Sequence, residues 1–367
     1  MMRVGVVGVG GISDIYLQNM INRYRNLEVV GCTARNMDSV RTKAQAYSIV
    51  AMTMEQMLHD PSIDLIVNLT PAPAHYQIIR QALLSGKHVY TEKVLAETYA
   101  QARELAELAE SRGLRLGSAP DTFLGSSCQT AAEAVQQGLI GTVTGFNISL
   151  NRGLDLLYPR VNFLIRPGGG IGFDFGVYAL TVLFSILGPA AQVCGFAQTN
   201  RPTRTYADRG LPNYGQPYTI ENENIMVGSI CMRSGVLGSF LFNGDSSFPE
   251  KPHLAIQGTR GTLFLPDPNQ FGGEVLFIEG IKNHGDTAVP ARVLPNDRPF
   301  GDNARGIGVA DMAQAIADSR PHRASAEMAC HILEVLEGVV SSGNSKTFSH
   351  LESTFVTPEP LLRAETF

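Results

Sequence analysis

A short β-branched run, Arg3 to Val7, leads straight into Gly8-Val9-Gly10-Gly11-Ile12-Ser13. Beyond it Ile12, Ile15, Tyr16, Met20 and Tyr24 recur at spacings of three and four, which predicts a helix. Strand, glycine turn and helix in that order can seat a pyrophosphate. Gly8 permits the tight turn, and Gly10 lets backbone approach the phosphates. The third position packs helix on strand, and the helix amino end attracts negative charge. That third position is Ser13, small but not glycine, so a purely structural turn stays open on this motif alone.

The rest of the first third keeps alternating. Strands are predicted over 27–33, 64–69, 87–91 and 114–117, and helices over 38–47, 54–58, 74–85 and 98–112. This predicts an α/β Rossmann domain, a doubly wound parallel sheet, over 1–120. From 121 to 367 a helix (126–137) and a strand (143–151) are followed by RPGGGIGFDFGVYALTVLFSILG. Glycine-broken alternating segments then run over 223–232, 235–243, 253–257 and 261–265, with helices over 309–319 and 325–341. That half reads as an α+β substrate-binding and oligomerisation domain with an open, mainly antiparallel sheet. Its uncovered face calls for a homodimer or homotetramer.

Composition removes several classes of function. Across 367 residues the hydrophobic share is 44% and the charged share 17%, values of a globular protein. A net charge of −5 with no long basic run argues against nucleic acid. No apolar stretch reaches membrane-spanning length, and the start of the chain is unlike a signal peptide. The 5 cysteines are scattered with no CxxC pair, so a cytoplasmic protein is expected. The 8 histidines show no HExxH spacing and no metal is predicted; no GxSxG motif supports hydrolysis.

Two segments carry candidate chemistry. In Asn68–Leu95, a strand end, a Thr-Pro-Ala-Pro turn, a helix and a second strand deliver Glu92 and Lys93 to the carboxyl-end rim, where open parallel sheets bind ligands. The strand predicted over 27–33 ends in Cys32-Thr33 and runs on into Ala34-Arg35-Asn36, without the carboxylate that reads a ribose 2′-hydroxyl. A guanidinium there can grip a 2′-phosphate, so Thr33, Arg35 and Asn36 favour NADP(H), with NAD(H) as the alternative. Further on, Asp174 and Tyr178 stand four apart, on one face of a helix. On spacing alone Tyr178 reads equally well as a core aromatic whose hydroxyl Asp174 satisfies. Arg152, Arg160 and Arg166 precede the glycines and are candidates for binding hydroxyls or anions.

Together these residues resemble one family, the oxidoreductases named after glucose–fructose oxidoreductase, inositol dehydrogenase and the rhizopine-catabolism protein (Gfo/Idh/MocA). The resemblance rests on Gly8 to Ser13, Thr70-Pro71 with His75, and Gly86-Lys87-His88-Val89. It continues through Glu92-Lys93, Gly138-Leu139-Ile140-Gly141, and Gly168-Gly169-Gly170 with Asp174 and Tyr178. It implies a cofactor set of Gly8, Gly10, Gly11, Ile12, Leu69, Thr70, Pro71, His75, Glu92 and Lys93. It also implies catalytic roles for Lys93, Asp174 and Tyr178 in hydride transfer on a sugar, sugar derivative or cyclitol. A cofactor-binding metabolite sensor and a dihydrodiol-type dehydrogenase are the alternatives within the same resemblance. The family usually has Glu-Lys-Pro. Here Val94 stands in place of the proline, which predicts a looser turn after Lys93.

Overall fold

The computed structural model describes residues 1–153, 155, 157–158, 161–166, 168–246, 251–280 and 289–367, apart from the side chain of Asn162. Two compact units emerge. The first comprises Met1–Leu124, Asn303–Cys330 and Leu361–Phe367, and the second Gly125–Asp302 and His331–Pro360.

The first unit opens with β1 (Met2–Val7), α1 (Ser13–Asn22), β2 (Leu27–Thr33), α2 (Met37–Tyr47), β3 (Val50–Ala51) and α3 (Met54–His59). It continues with β4 (Leu65–Asn68), α4 (His75–Leu84), β5 (His88–Thr91), α5 (Tyr99–Ser111) and β6 (Leu116–Ser118). The strands form one six-stranded parallel sheet in the order β3-β2-β1-β4-β5-β6, a Rossmann order whose direction reverses beside β1. Val4, Val6, Leu65, Ile66, Val67 and Val89 are fully buried in it, as strands covered on both faces require. The apolar stripe of α1 buries Tyr16, Leu17 and Met20, whereas Ile12 lies before the helix as its N-cap and is exposed.

The second unit begins with α6 (Ser126–Gln136) and β7 (Val143–Asn151). A π-helical turn over Gly172–Gly176 runs into α7 (Val177–Leu187), followed by β8 (Ala190–Gln198), β9 (Thr203–Thr205) and β10 (Pro217–Thr219). Next come β11 (Ile225–Met232), β12 (Leu237–Asn243), β13 (His253–Gly258), β14 (Gly261–Leu265), β15 (Leu276–Glu279) and β16 (Arg292–Val293). After α8 (Ile307–Ala317), which belongs to the first unit, α9 (Ala326–Ser345) and β17 (Ser349–His350) complete the elements. Nine strands make one sheet in the order β16-β15-β14-β13-β7-β12-β11-β8-β17, antiparallel except where β7 meets β12. One face buries Phe146, Ile148, Met226, Ile230, Phe240, Phe242, Leu254 and Ile256. The same sheet leaves Phe196, Leu237 and Phe348 more than 60% exposed. His331 is packed inside this unit: its Nε2 accepts from the Ala190 amide at 2.9 Å and its Nδ1 faces Ser353 Oγ at 2.8 Å. Burial holds its pKa down at about 4, which suits a structural imidazole.

The late segment 303–330 is tied into the first unit by polar contacts. The Asn19 amide donates to the carbonyls of Asn303 (2.9 Å) and Arg305 (2.8 Å). Fully buried Asp311 pairs with Arg320 and Arg323, and Arg323 grips Glu365 with two nitrogens. Buried Asp121 accepts, through one oxygen, the amides of Gly306 (2.9 Å) and Gly308 (3.1 Å) at the start of α8. Desolvation raises its pKa to about 6 against these two donors.

A folded-state pKa above the unfolded 3.8 means that Asp121 favours folding most when protonated. Its contribution therefore falls as pH rises from about 4 to about 6, by roughly 3 kcal/mol. Asp121→Asn keeps the accepting oxygen and removes the charge. Thermal melts should find the variant at least as stable as wild type at pH 7, with that advantage shrinking towards pH 4. A large loss of stability at every pH would contradict the account.

Candidate functional site

The glycine turn occupies the carboxyl end of β1. Gly8 has φ +103°, and a Cβ there would lie 2.8 Å from the Leu69 carbonyl carbon, so only glycine fits between the ends of β1 and β4. A Cβ at Gly10 or Gly11 would meet nothing within 4 Å. The α1 amino end has no side-chain cap; Ser13 spends its hydroxyl on the Gly10 carbonyl at 2.6 Å. The turn thus combines open space over backbone with an uncapped helix terminus, which fits the pyrophosphate of a dinucleotide.

At the end of β2, Thr33 is buried and its carbonyl accepts from the Gly8 amide at 2.8 Å. Arg35 and Asn36 are exposed. Asn36 Oδ1 caps α2, accepting from the amides of Asp38 (2.9 Å) and Ser39 (3.1 Å), so only its NH₂ remains for a ligand. Asp38, the nearest carboxylate along the chain, pairs with Arg41 at 2.8 Å. Among the described residues Arg35 has no ion-pair partner. Lys43 is bound to Asp14 at 2.5 Å, and this holds the Asp14 carboxyl below its ordinary value.

The rim at β4 and β5 is held by a side chain that sequence reasoning missed as a site residue. Fully buried Asn68 donates to Thr91 Oγ1 at 3.0 Å and accepts the Thr70 hydroxyl at 2.8 Å, while its carbonyl accepts the Glu92 amide at 2.8 Å. It fixes both strand ends and the Thr70-Pro71 turn at once. An amide closing the apolar run Leu65-Ile66-Val67 was the signal for it. Tyr16 is the second missed residue: its hydroxyl donates to Glu92 Oε1 at 2.7 Å, and the other Glu92 oxygen accepts the Lys93 amide at 3.2 Å.

His75 is buried and joins two backbone segments of the rim. Its Nδ1 lies 2.6 Å from the Val94 carbonyl oxygen and its Nε2 2.7 Å from that of Thr70. Burial disfavours the charged imidazolium, and a neutral ring has one N–H to share between the two carbonyls. Val94 is buried, its carbonyl is held by this contact, and the Lys93–Val94 peptide is cis. Lys93 itself is half-buried. One local neighbourhood thus gathers Gly8, Leu69, Thr70, His75, Glu92 and Lys93. Pro71 is exposed at the entrance to the turn, before the 3-10 turn Ala72–Ala74.

Asp174 and Tyr178 belong to the second unit. Asp174 sits in the π-helical turn and Tyr178 in the first turn of α7, so the helix expected across both changes its winding between them. Such wider turns are common at functional sites. Tyr178 is 8% exposed and lines a cavity of about 340 Å³ with Ile171, Phe175, Leu150, Asn151 and Arg152. The volume lies inside the roughly 300–1,000 Å³ range of small-molecule pockets. The Arg152 guanidinium stands 3.8 Å from the Phe175 ring centroid. Arg166, by contrast, is neutralised by Glu221, and Arg160 lies outside the described residues. Among the described residues no group of three or more His, Cys, Asp or Glu could hold a metal ion, and no helix is long and apolar enough to cross a membrane.

The two turn glycines should respond differently to an added methyl. Gly8→Ala meets backbone at a positive φ and should lower stability by about 1–3 kcal/mol in denaturant melts. Gly10→Ala should melt like wild type yet weaken dinucleotide binding in a fluorescence titration. Unchanged affinity in Gly10→Ala would remove the cradle reading.

Comparison with known proteins places this architecture. Residues 2–119 match the model described as "Oxidoreductase family, NAD-binding Rossmann fold", and residues 128–264 match the "GFO/IDH/MocA C-terminal domain". The uncharacterized oxidoreductase YhhX of Escherichia coli is 30% identical over 308 residues, 82% of this chain and 78% of that one. The D-xylose 1-dehydrogenase (NADP(+)) of Hypocrea jecorina is 34% identical over 254 residues, 64% and 61% of the two chains. The chain spans about half the length of two other curated relatives it matches, 55% and 48%. Among solved structures, levoglucosan dehydrogenase in complex with NADH and L-sorbose has the same fold, with a TM-score of 0.81 at 15% identity over 96% of this chain and 99% of that one. The sheet order, the glycine turn and these matches together identify the chain as a member of the Gfo/Idh/MocA family of oxidoreductases.

Proposed function

We propose that the protein is an NADP-dependent dehydrogenase that moves a hydride reversibly between the cofactor and a secondary alcohol or ketone of a sugar, sugar derivative or cyclitol. The observation that carries this reading is the rim of the parallel sheet, where Asn68, Tyr16 and His75 hold Glu92 and Lys93 beside an uncapped glycine turn. The nicotinamide, when bound, accepts or supplies the hydride. Gly8, Gly10, Gly11 and Ile12 hold the pyrophosphate, while Leu69, Thr70, Pro71, His75 and Glu92 form the wall of the cofactor cleft. Lys93 hydrogen-bonds the reacting oxygen and stabilises the negative charge that develops on it. Tyr178 gives or takes the hydroxyl proton, and Asp174 orients it. The xylose dehydrogenase and levoglucosan dehydrogenase relatives support a sugar-like substrate.

NADP is favoured over NAD by Arg35, exposed at the end of β2 where no carboxylate would repel a 2′-phosphate. Thr33 and the Asn36 amide complete that corner. A second copy of the chain is proposed to cover the open face of the nine-stranded sheet, where Phe196, Leu237 and Phe348 are exposed.

Lys93→Met and Tyr178→Phe, assayed by reduced-cofactor absorbance on sugars, cyclitols and their keto forms, should each lower turnover by about a hundredfold or more while the fold persists. Near-wild-type rates in both would end the catalytic assignment. Replacing Arg35 with Ala should weaken NADPH about tenfold and leave NADH nearly unchanged. Equal binding of both cofactors to the wild type would remove the role given to Arg35.

A further inference from the structure

The cavity beside Tyr178 carries a charge pattern that a neutral sugar does not require. Two cations line it, Arg152 and Lys251, and one carboxylate, Asp267. One Asp267 oxygen accepts the Asn269 amide at 2.9 Å, and against this single carboxylate the two cations leave the lining with a net positive charge. Neither cation has an ion-pair partner among the described residues. The contrast with the rest of the unit is sharp: Arg204 is buried between Asp155 and Asp245, and Arg166 is paired with Glu221. Arg152 is held differently, with its guanidinium carbon over the Phe175 ring, 3.8 Å from the centroid. A cation–π contact holds the group without consuming its N–H donors, for which no partner is found among the described residues, so they can form a fork.

Two unpaired cations on one small cavity, in a chain of net charge −5, form a local site for negative charge. We infer that the substrate carries an anionic group, a carboxylate or a phosphate ester, gripped by Arg152 with Lys251 at the mouth of the cavity. The carbon that reacts is then the one placed at Tyr178 while the anion is anchored at Arg152. Specificity follows from chemistry: a neutral sugar would leave the guanidinium desolvated and unpaired, which costs binding. This inference rests on the reading of the Tyr178 cavity as the substrate site.

The test uses the full chain and titration calorimetry at low ionic strength. The probes are neutral hexoses and cyclitols, with the uronates and monophosphates derived from them. The tightest binder should be charged and should exceed its neutral parent by about tenfold or more, and salt should weaken it. In Arg152→Gln that ratio should fall to about threefold or less, while Arg152→Lys keeps part of it and Lys251→Gln, at an exposed position, lowers it without risk to folding. The uronate and phosphate arms tell which anion is recognised. A neutral tightest binder, no binding by any charged probe, or a ratio unchanged in Arg152→Gln overturns the inference. Charged-probe preference without turnover would instead sink the dehydrogenase reading and leave anion recognition standing.

Discussion

The rim of the first unit's sheet hangs on one buried amide. Asn68 sits at zero exposure where β4 ends, and its side chain joins the Thr70 hydroxyl on one side to the Thr91 hydroxyl on the other. In a site closed to water an unpaired amide is costly, so the groups that satisfy Asn68 also settle the path of both strand ends. The Thr70-Pro71 turn and the Glu92-Lys93 pair are thereby placed by the same few hydrogen bonds. His75 repeats the device, its single ring spanning the carbonyls of Thr70 and Val94. These contacts fix the backbone at Lys93, whose amide donates to Glu92 at 3.2 Å.

The second unit solves a different problem. Its nine-stranded sheet can bury only one face with the helices of its own unit, so aromatic and aliphatic side chains are left on the other. The cavity beside α7 takes Leu150 and Asn151 from the end of the central strand β7, with Arg152 just beyond it, together with residues of the π-helical turn. The wide turn places Phe175 against Arg152 and puts Tyr178 on the cavity wall. Packing a guanidinium on an aromatic face orients a charge without neutralising it, the property on which an anion-selective substrate site depends.

Much of this was legible in the residues. The parallel sheet follows from apolar runs alternating with helical periodicity, and the element ends fall close to those expected: Met37–Tyr47 against 38–47, Tyr99–Ser111 against 98–112, and Val143–Asn151 as expected. The glycine turn was readable because a positive φ and a close strand contact leave no alternative at Gly8. What escaped has physical reasons. The nine-residue strand Ala190–Gln198 is mostly alanine, glutamine and glycine, with Val193 its one β-branched residue, and exists because β11 pairs along its length. The return of residues 303–330 to the first unit depends on Asp121 and Asn19 finding distant partners, and no local pattern announces such pairings. The π-helical turn breaks the period of 3.6 that placed Asp174 and Tyr178 on one face. The capping role of Asn36 also escaped: its Oδ1 is taken by the cap of α2, which leaves the NH₂ for a cofactor.

The central claim is direct hydride transfer on a sugar-like substrate, and isotope transfer tests it most directly. Each candidate alcohol would be labelled with deuterium at its reacting carbon and incubated with the enzyme and oxidised NADP, and the recovered reduced cofactor examined by mass spectrometry and NMR. Deuterium on one face of the nicotinamide ring, in step with loss from the sugar, is the predicted result. Reduced cofactor carrying no label, or no reduction with any labelled sugar or cyclitol, would contradict it.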